Sequence, residues 1–141
     1  METLLLLLFQ REKTLQRIFQ NLKFRIYILD IPDPPGKPLV MGFTSRSVNL
    51  SWAPPLSAHN SPISHYLIHV REGEDGRWTN EDDEVNNVSE TSDNKTMFSV
   101  VELKPFTTYS FRVVAVNAMG RSKPSKVSYY MLTLREGKNN A

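Results

Sequence analysis

The chain has 141 residues, 40% of them hydrophobic and 23% charged, a balance that suits one soluble domain with a tail and sets aside wholesale disorder. Seventeen Lys and Arg face fifteen Asp and Glu, a net charge of +2 that is too even for a protein holding nucleic acid through its phosphates. With no Cys, disulfides, thiolate zinc sites and cysteine nucleophiles are excluded, and nine Pro with six Gly imply many short connections, the habit of an all-β chain.

Residues 1–31 form an extension outside the main domain. It carries the whole net charge, with Arg11, Lys13, Arg17, Lys23 and Arg25 against Glu2, Glu12 and Asp30; the rest of the chain is neutral. The apolar run Leu4 to Phe9 is followed by no small-residue cleavage pattern, so it does not read as a secretion leader. It is also far short of the roughly 18 apolar residues of a membrane span. Leu15, Ile18, Phe19, Leu22 and Ile26 recur at helical spacing, so the segment is either an amphipathic, weakly basic helix or a disordered tail.

Four prolines between Pro32 and Pro38 forbid helix and mark a stiff, extended boundary. The domain runs from residue 32 to 136, and residues 137–141 are a C-terminal tail. Val48, Leu50 and Trp52 alternate with Asn49 and Ser51, the two-residue period of a strand. Pro54-Pro55 stops it. Tyr66, Ile68 and Val70 then share one face of a second strand, with His65, Leu67, His69 and Arg71 on the other. Asp75-Gly76 is a hairpin turn that Trp78 leaves. The acidic stretch Thr79 to Lys95 reads as a long loop or weak edge strand. Strands follow at Met97–Val101, around Tyr109, Phe111, Val113 and Ala115, and at Lys126–Leu134. Seven short strands with regular turns indicate a β-sandwich.

These residues resemble the fibronectin type III family. The likeness rests on Pro35-x-x-Pro38, Leu50-Ser51-Trp52, Pro54-Pro55, Ile63-x-x-Tyr66, Gly76 with Trp78, Leu103-x-Pro105-x-Thr107-x-Tyr109, Phe111-Arg112-Val113, Ala115-Val116-Asn117, Gly120 and Pro124-Ser125. The resemblance implies a seven-stranded immunoglobulin-like sandwich. Trp52, Tyr66, Leu103, Tyr109 and Phe111 are its expected core, with Tyr109 returning its hydroxyl to the backbone in a tyrosine corner. Two departures stand out: Phe106 occupies a position that is usually Gly, and the Thr79–Lys95 loop is long. Within the family, Pro32-Asp33-Pro34-Pro35-Gly36, His59 to Ile63 and Ser128 to Glu136 look like the repeats of sidekick-type neural adhesion proteins.

No catalytic constellation emerges. His65 and His69 lie on one strand face but about 13 Å apart, too far for one metal ion. Glu81-Asp82-Asp83-Glu84 lacks the spacing of a calcium loop, and Gly73 and Gly76 flank an acidic segment, the wrong sign for phosphate. No nucleophile elbow, Arg-Gly-Asp tripeptide or Trp-Ser-x-Trp-Ser box is present. No cofactor and no metal are expected. Asn49, Asn87 and Asn94 head Asn-x-Ser/Thr sequons and are glycosylation candidates. His65, Leu67, His69, Arg71, Arg112, Val114 and Val116 are expected to face away from the core as one exposed patch, a candidate interface.

The reading is thus a non-enzymatic interaction and spacer module, extracellular, of a single-pass adhesion receptor. Its partners would be adhesion molecules or neighbouring modules, with no nucleic acid. The alternatives are an intracellular structural repeat of a filament-associated protein, or a ligand-binding receptor module.

Overall fold

In a computed structural model, residues 10–17, 27–74, 78 and 87–137 are described. Residues 10–17 form a helix whose side chains are all exposed. Ile18, Phe19, Leu22 and Ile26 of the expected helix, and the Asp75-Gly76 turn, lie outside the described residues.

The rest is an all-β sandwich of two antiparallel sheets. One holds β1 (Leu39–Phe43), β2 (Val48–Ser51) and β5 (Met97–Val100) in the order β1-β2-β5. The other has β3 (His65–Glu72) and β6 (Thr108–Asn117) at its centre. There β4 (Val88–Glu90) pairs with β3, while β7 (Gly120–Arg121) and β8 (Met131–Leu132) both pair with β6. Alternation decides what lies between the sheets. Val48, Leu50, Tyr66, Ile68, Val70, Val100, Phe111, Val113 and Ala115 turn inward and are buried. Trp52 meets Tyr66 edge-on at 5.2 Å, and Leu103 and Tyr109 join the same cluster. The Tyr109 hydroxyl accepts the Lys104 N–H at 2.9 Å, closing a tyrosine corner.

Three features differ from the sequence reading. First, β1 gives no sign of itself in the sequence, because Leu39-Val40-Met41-Gly42-Phe43 shows no polar alternation. It forms as an edge strand whose register slips between Val40 and Gly42, a bulge that throws Met41 into solvent.

Second, the proline segment is no free linker. Pro32, Pro35 and Pro38 are buried, every third residue, the period of a polyproline II helix. Between them Asp33 N–H and Gly36 N–H donate to the Ser57 and Ala53 carbonyls.

Third, the expected strand Lys126–Leu134 is regular only at Met131–Leu132. Upstream of it, Ser122, Ser125 and Ser128 form a ladder of their own. Each donates its backbone N–H to the carbonyl of Ala115, Val113 or Phe111, respectively, and its Oγ accepts the N–H of that same residue. Three residues on this edge therefore match two on β6, a bulge at every rung. Pro124 interrupts the edge, and Lys123 and Lys126 point outward, devices that blunt edge-to-edge association.

The corner residue Phe106 has φ +46°, the left-handed region that favours glycine. Its half-exposed ring is covered by the Arg135 guanidinium at 3.9 Å. Phe106→Gly relieves about 1–2 kcal/mol of backbone strain. It forfeits about 0.5–1 kcal/mol of cation–π contact and adds a similar unfolded-state entropy cost. Stability in urea should therefore change by less than about 1 kcal/mol, whereas a large loss would show the ring to be a packing residue.

Candidate functional site

The expected interface is built on the outer face of β3 and β6. Their register pairs His65 with Val116, Leu67 with Val114, His69 with Arg112 and Arg71 with Ser110. None of the seven belongs to the inter-sheet core, so the sheet does bring them together on one face. Their exposure differs from expectation. Leu67, His69, Arg112 and Val114 are buried, with Val114 only 3% exposed, while His65, Arg71 and Val116 are half-buried. In place of the expected open patch, this face is a second packed layer.

Its cover is partly visible. The Trp78 ring stacks on His69 at 6.4 Å and 25°, and sits 4.4 Å from the Arg112 guanidinium and 5.7 Å from that of Arg71. Beside Leu67, His65 Nε2 lies 3.0 Å from Glu90 Oε1, and Glu90 is the register partner of Leu67. Both strands are also flanked, by β4 and β7, which screens central residues from the sides. The sequence marks Trp78 as the start of a return strand and, with Gly76, as a family-like position; its spacing from Arg71 and Arg112 gives no sign that all three meet.

Arg112 Nε donates to His69 Nδ1 at 3.0 Å. Burial, then the positive charges of Arg112 and Arg121, push the His69 pKa from 6.5 down to about 4. The imidazole is thus neutral at physiological pH with its acceptor nitrogen occupied, unsuited to general-base work. In the unfolded chain the same ring titrates near 6.5. Between pH 6.5 and 4 the unfolded state binds the extra proton, so folding stability should fall across that window as pH is lowered, and this contribution should level off below it. Urea midpoints for the parent and His69→Gln isolate the effect from the carboxylates. An NMR titration of His69 near its ordinary pKa would contradict the packing.

Large apolar groups are exposed elsewhere, along the seam between the sheets. Residues 38–41, Phe43 and residues 128–132 line an open groove of about 620 Å³, with Leu39, Met41, Phe43, Tyr129, Tyr130 and Leu132 exposed. Lys37 Nζ sits 3.4 Å above the Tyr129 ring. The sequon residues Asn49 on β2, Asn87 before β4 and Asn94 in the turn before β5 are all exposed. Among the described residues no group of three His, Asp or Glu converges as a metal site. No helix there is long and apolar enough to cross a membrane.

Comparison with known proteins accounts for this architecture. Residues 33–130 match the fibronectin type III domain family. The chain belongs to that family. It is 51% identical over 111 residues to a putative receptor-type tyrosine-protein phosphatase, mosPTP-1, of Aedes aegypti, covering 79% of this chain and 8% of that protein. It is 41% identical over 114 residues to protein sidekick-2 of Mus musculus, covering 79% of this chain and 5% of that protein. Among solved structures, titin domains A168–A170 superpose with a TM-score of 0.61 at 31% identity, covering 75% of this chain and 33% of that one. The chain thus spans less than a tenth of the two curated relatives. Fibronectin type III domains are generally non-catalytic, and their adhesion-protein relatives use them in protein–protein contacts.

Proposed function

We propose that residues 32–136 are a non-catalytic extracellular spacer and protein-interaction module of an adhesion-type receptor. The observation that carries the spacer part of this reading is where the chain comes in and goes out. Asn117, at the end of β6, donates through Nδ2 to the carbonyls of Asp30, Ala58 and Ser61, and Asn60 Nδ2 donates to the Ile28 carbonyl. The incoming chain is thereby tied to the loops at one pole. The outgoing chain is tied to the other: Leu134 N–H donates to the Thr44 carbonyl, the Leu134 carbonyl accepts from Phe106 N–H, and Glu136 pairs with Arg46. The ten residues of β6 separate the poles by about 33 Å. Such a module adds length along a tandem array.

The sidekick-2 relative supports the cell-surface placement, and the titin likeness favours an intracellular structural repeat as the second reading. In both, pull enters at one pole and leaves at the other. Two copies of residues 27–137 joined head to tail should show, in small-angle X-ray scattering, nearly twice the longest dimension of one. A side-by-side particle would defeat the spacer role.

A further inference from the structure

We infer that Asn49 is an N-glycosylation site whose glycan lies on the outer face of the three-stranded sheet, an inference that rests on the extracellular reading above. Asn49 is exposed at the middle of the central strand β2, between the inward-facing Val48 and Leu50. Its register partners are Gly42 on β1 and Ser99 on β5. The strand period puts Ser51, the hydroxyl residue of the sequon, on the same face. Asn49 therefore stands among small side chains. A Cβ placed on Gly42 would meet nothing nearer than Asn49 Nδ2, at 3.9 Å, so the lane beside the amide is open.

One row along, Ser51 pairs with Leu39 on β1 and with Met97 on β5. These two apolar side chains are 55% and 67% exposed. A sugar ring has an apolar C–H face. The first residues of a glycan on Asn49 can lay that face on Leu39 and Met97 while their hydroxyls stay in water. The site thus offers a clear attachment point and an apolar seat beside it.

The chemistry requires a lipid-linked pyrophosphoryl oligosaccharide, the donor class of the secretory pathway. The Asn49 Nδ2 forms a bond to the anomeric carbon of the first sugar. The bond from that carbon to the pyrophosphate oxygen breaks, the leaving pyrophosphate takes the electron pair, and the amide nitrogen loses one proton.

The full chain, secreted from cultured animal cells behind an added leader, would be digested and its glycopeptides released enzymatically in heavy-oxygen water. Labelled aspartate is expected at position 49, and Asn49→Gln should remove one glycan from the intact mass. The seat is read separately through peroxide oxidation of Met97, which should be several-fold slower in the glycosylated parent than in Asn49→Gln. An unmodified Asn49 in folded, secreted chain overturns the site, and equal Met97 oxidation rates overturn the seat. The parent protein taken from its own cells distinguishes this from the reading beneath it. Occupied Asn49 there supports both; an Asn49 bare there but occupied in the leader-driven chain leaves the site standing and defeats the extracellular placement.

Discussion

Trp52→Ala is expected to cost about 3–5 kcal/mol of unfolding free energy, a large share of the roughly 5–15 kcal/mol that holds a domain of this size together. Trp52 is 4% exposed and its ring meets Tyr66 edge-on, so it bridges the three-stranded sheet to β3. Removing it opens a cavity between two layers whose backbones are fixed by their own ladders and cannot close around it. Tyr66 would then lose its aromatic partner, worth about 0.5–1.5 kcal/mol beyond the area term. Urea denaturation of the parent and variant measures this. A loss under about 1 kcal/mol would place Trp52 outside the energetic core, in conflict with its position.

The second large effect is expected at the serine ladder. Phe111, Val113 and Ala115 are all fully buried, and their N–H groups point to the β7–β8 edge, where the Oγ atoms of Ser128, Ser125 and Ser122 accept them. Each Ser→Ala substitution strands one buried donor, at about 1–3 kcal/mol. The backbone cannot substitute readily, because three residues stand against two and Pro124 has no N–H to offer. Ser125→Ala should lower stability by that amount, and the triple alanine variant should lose cooperative unfolding. If the triple variant melted like the parent, the edge would have re-paired as an ordinary strand. Hydrogen exchange at Val113 would then stay slow, where the ladder account expects it to speed up.

The sheets and their core were legible because one physical signal governs both. Alternation at Val48-Asn49-Leu50-Ser51-Trp52 and from Tyr109 to Val116 puts the same residues inward in sequence and structure. The serine ladder was hidden for the same reason. Its period of three is neither that of a strand nor that of an α-helix, though Ser122, Ser125 and Ser128 at equal spacing around Pro124 are a usable sign. The outer face of β3 and β6 was half legible. Alternation assigns Leu67, His69, Arg112 and Val114 to the face away from the core, but it carries no information about what lies above that face. Burial there depends partly on Trp78, a contact set by tertiary structure. Phe106 was conspicuous as a departure from the family, and its positive φ gives the physical reason glycine is usual there.

The function proposed above places this sandwich outside the cell, as one link of an adhesion-type receptor. Its most direct test is an antibody raised against residues 32–136, applied to intact cells that make the native full-length protein. Binding before permeabilisation, abolished by brief protease treatment of the living cells, is the expected result. Binding only after the membrane is opened, with the epitope untouched by external protease, would contradict the claim and leave the intracellular repeat in its place.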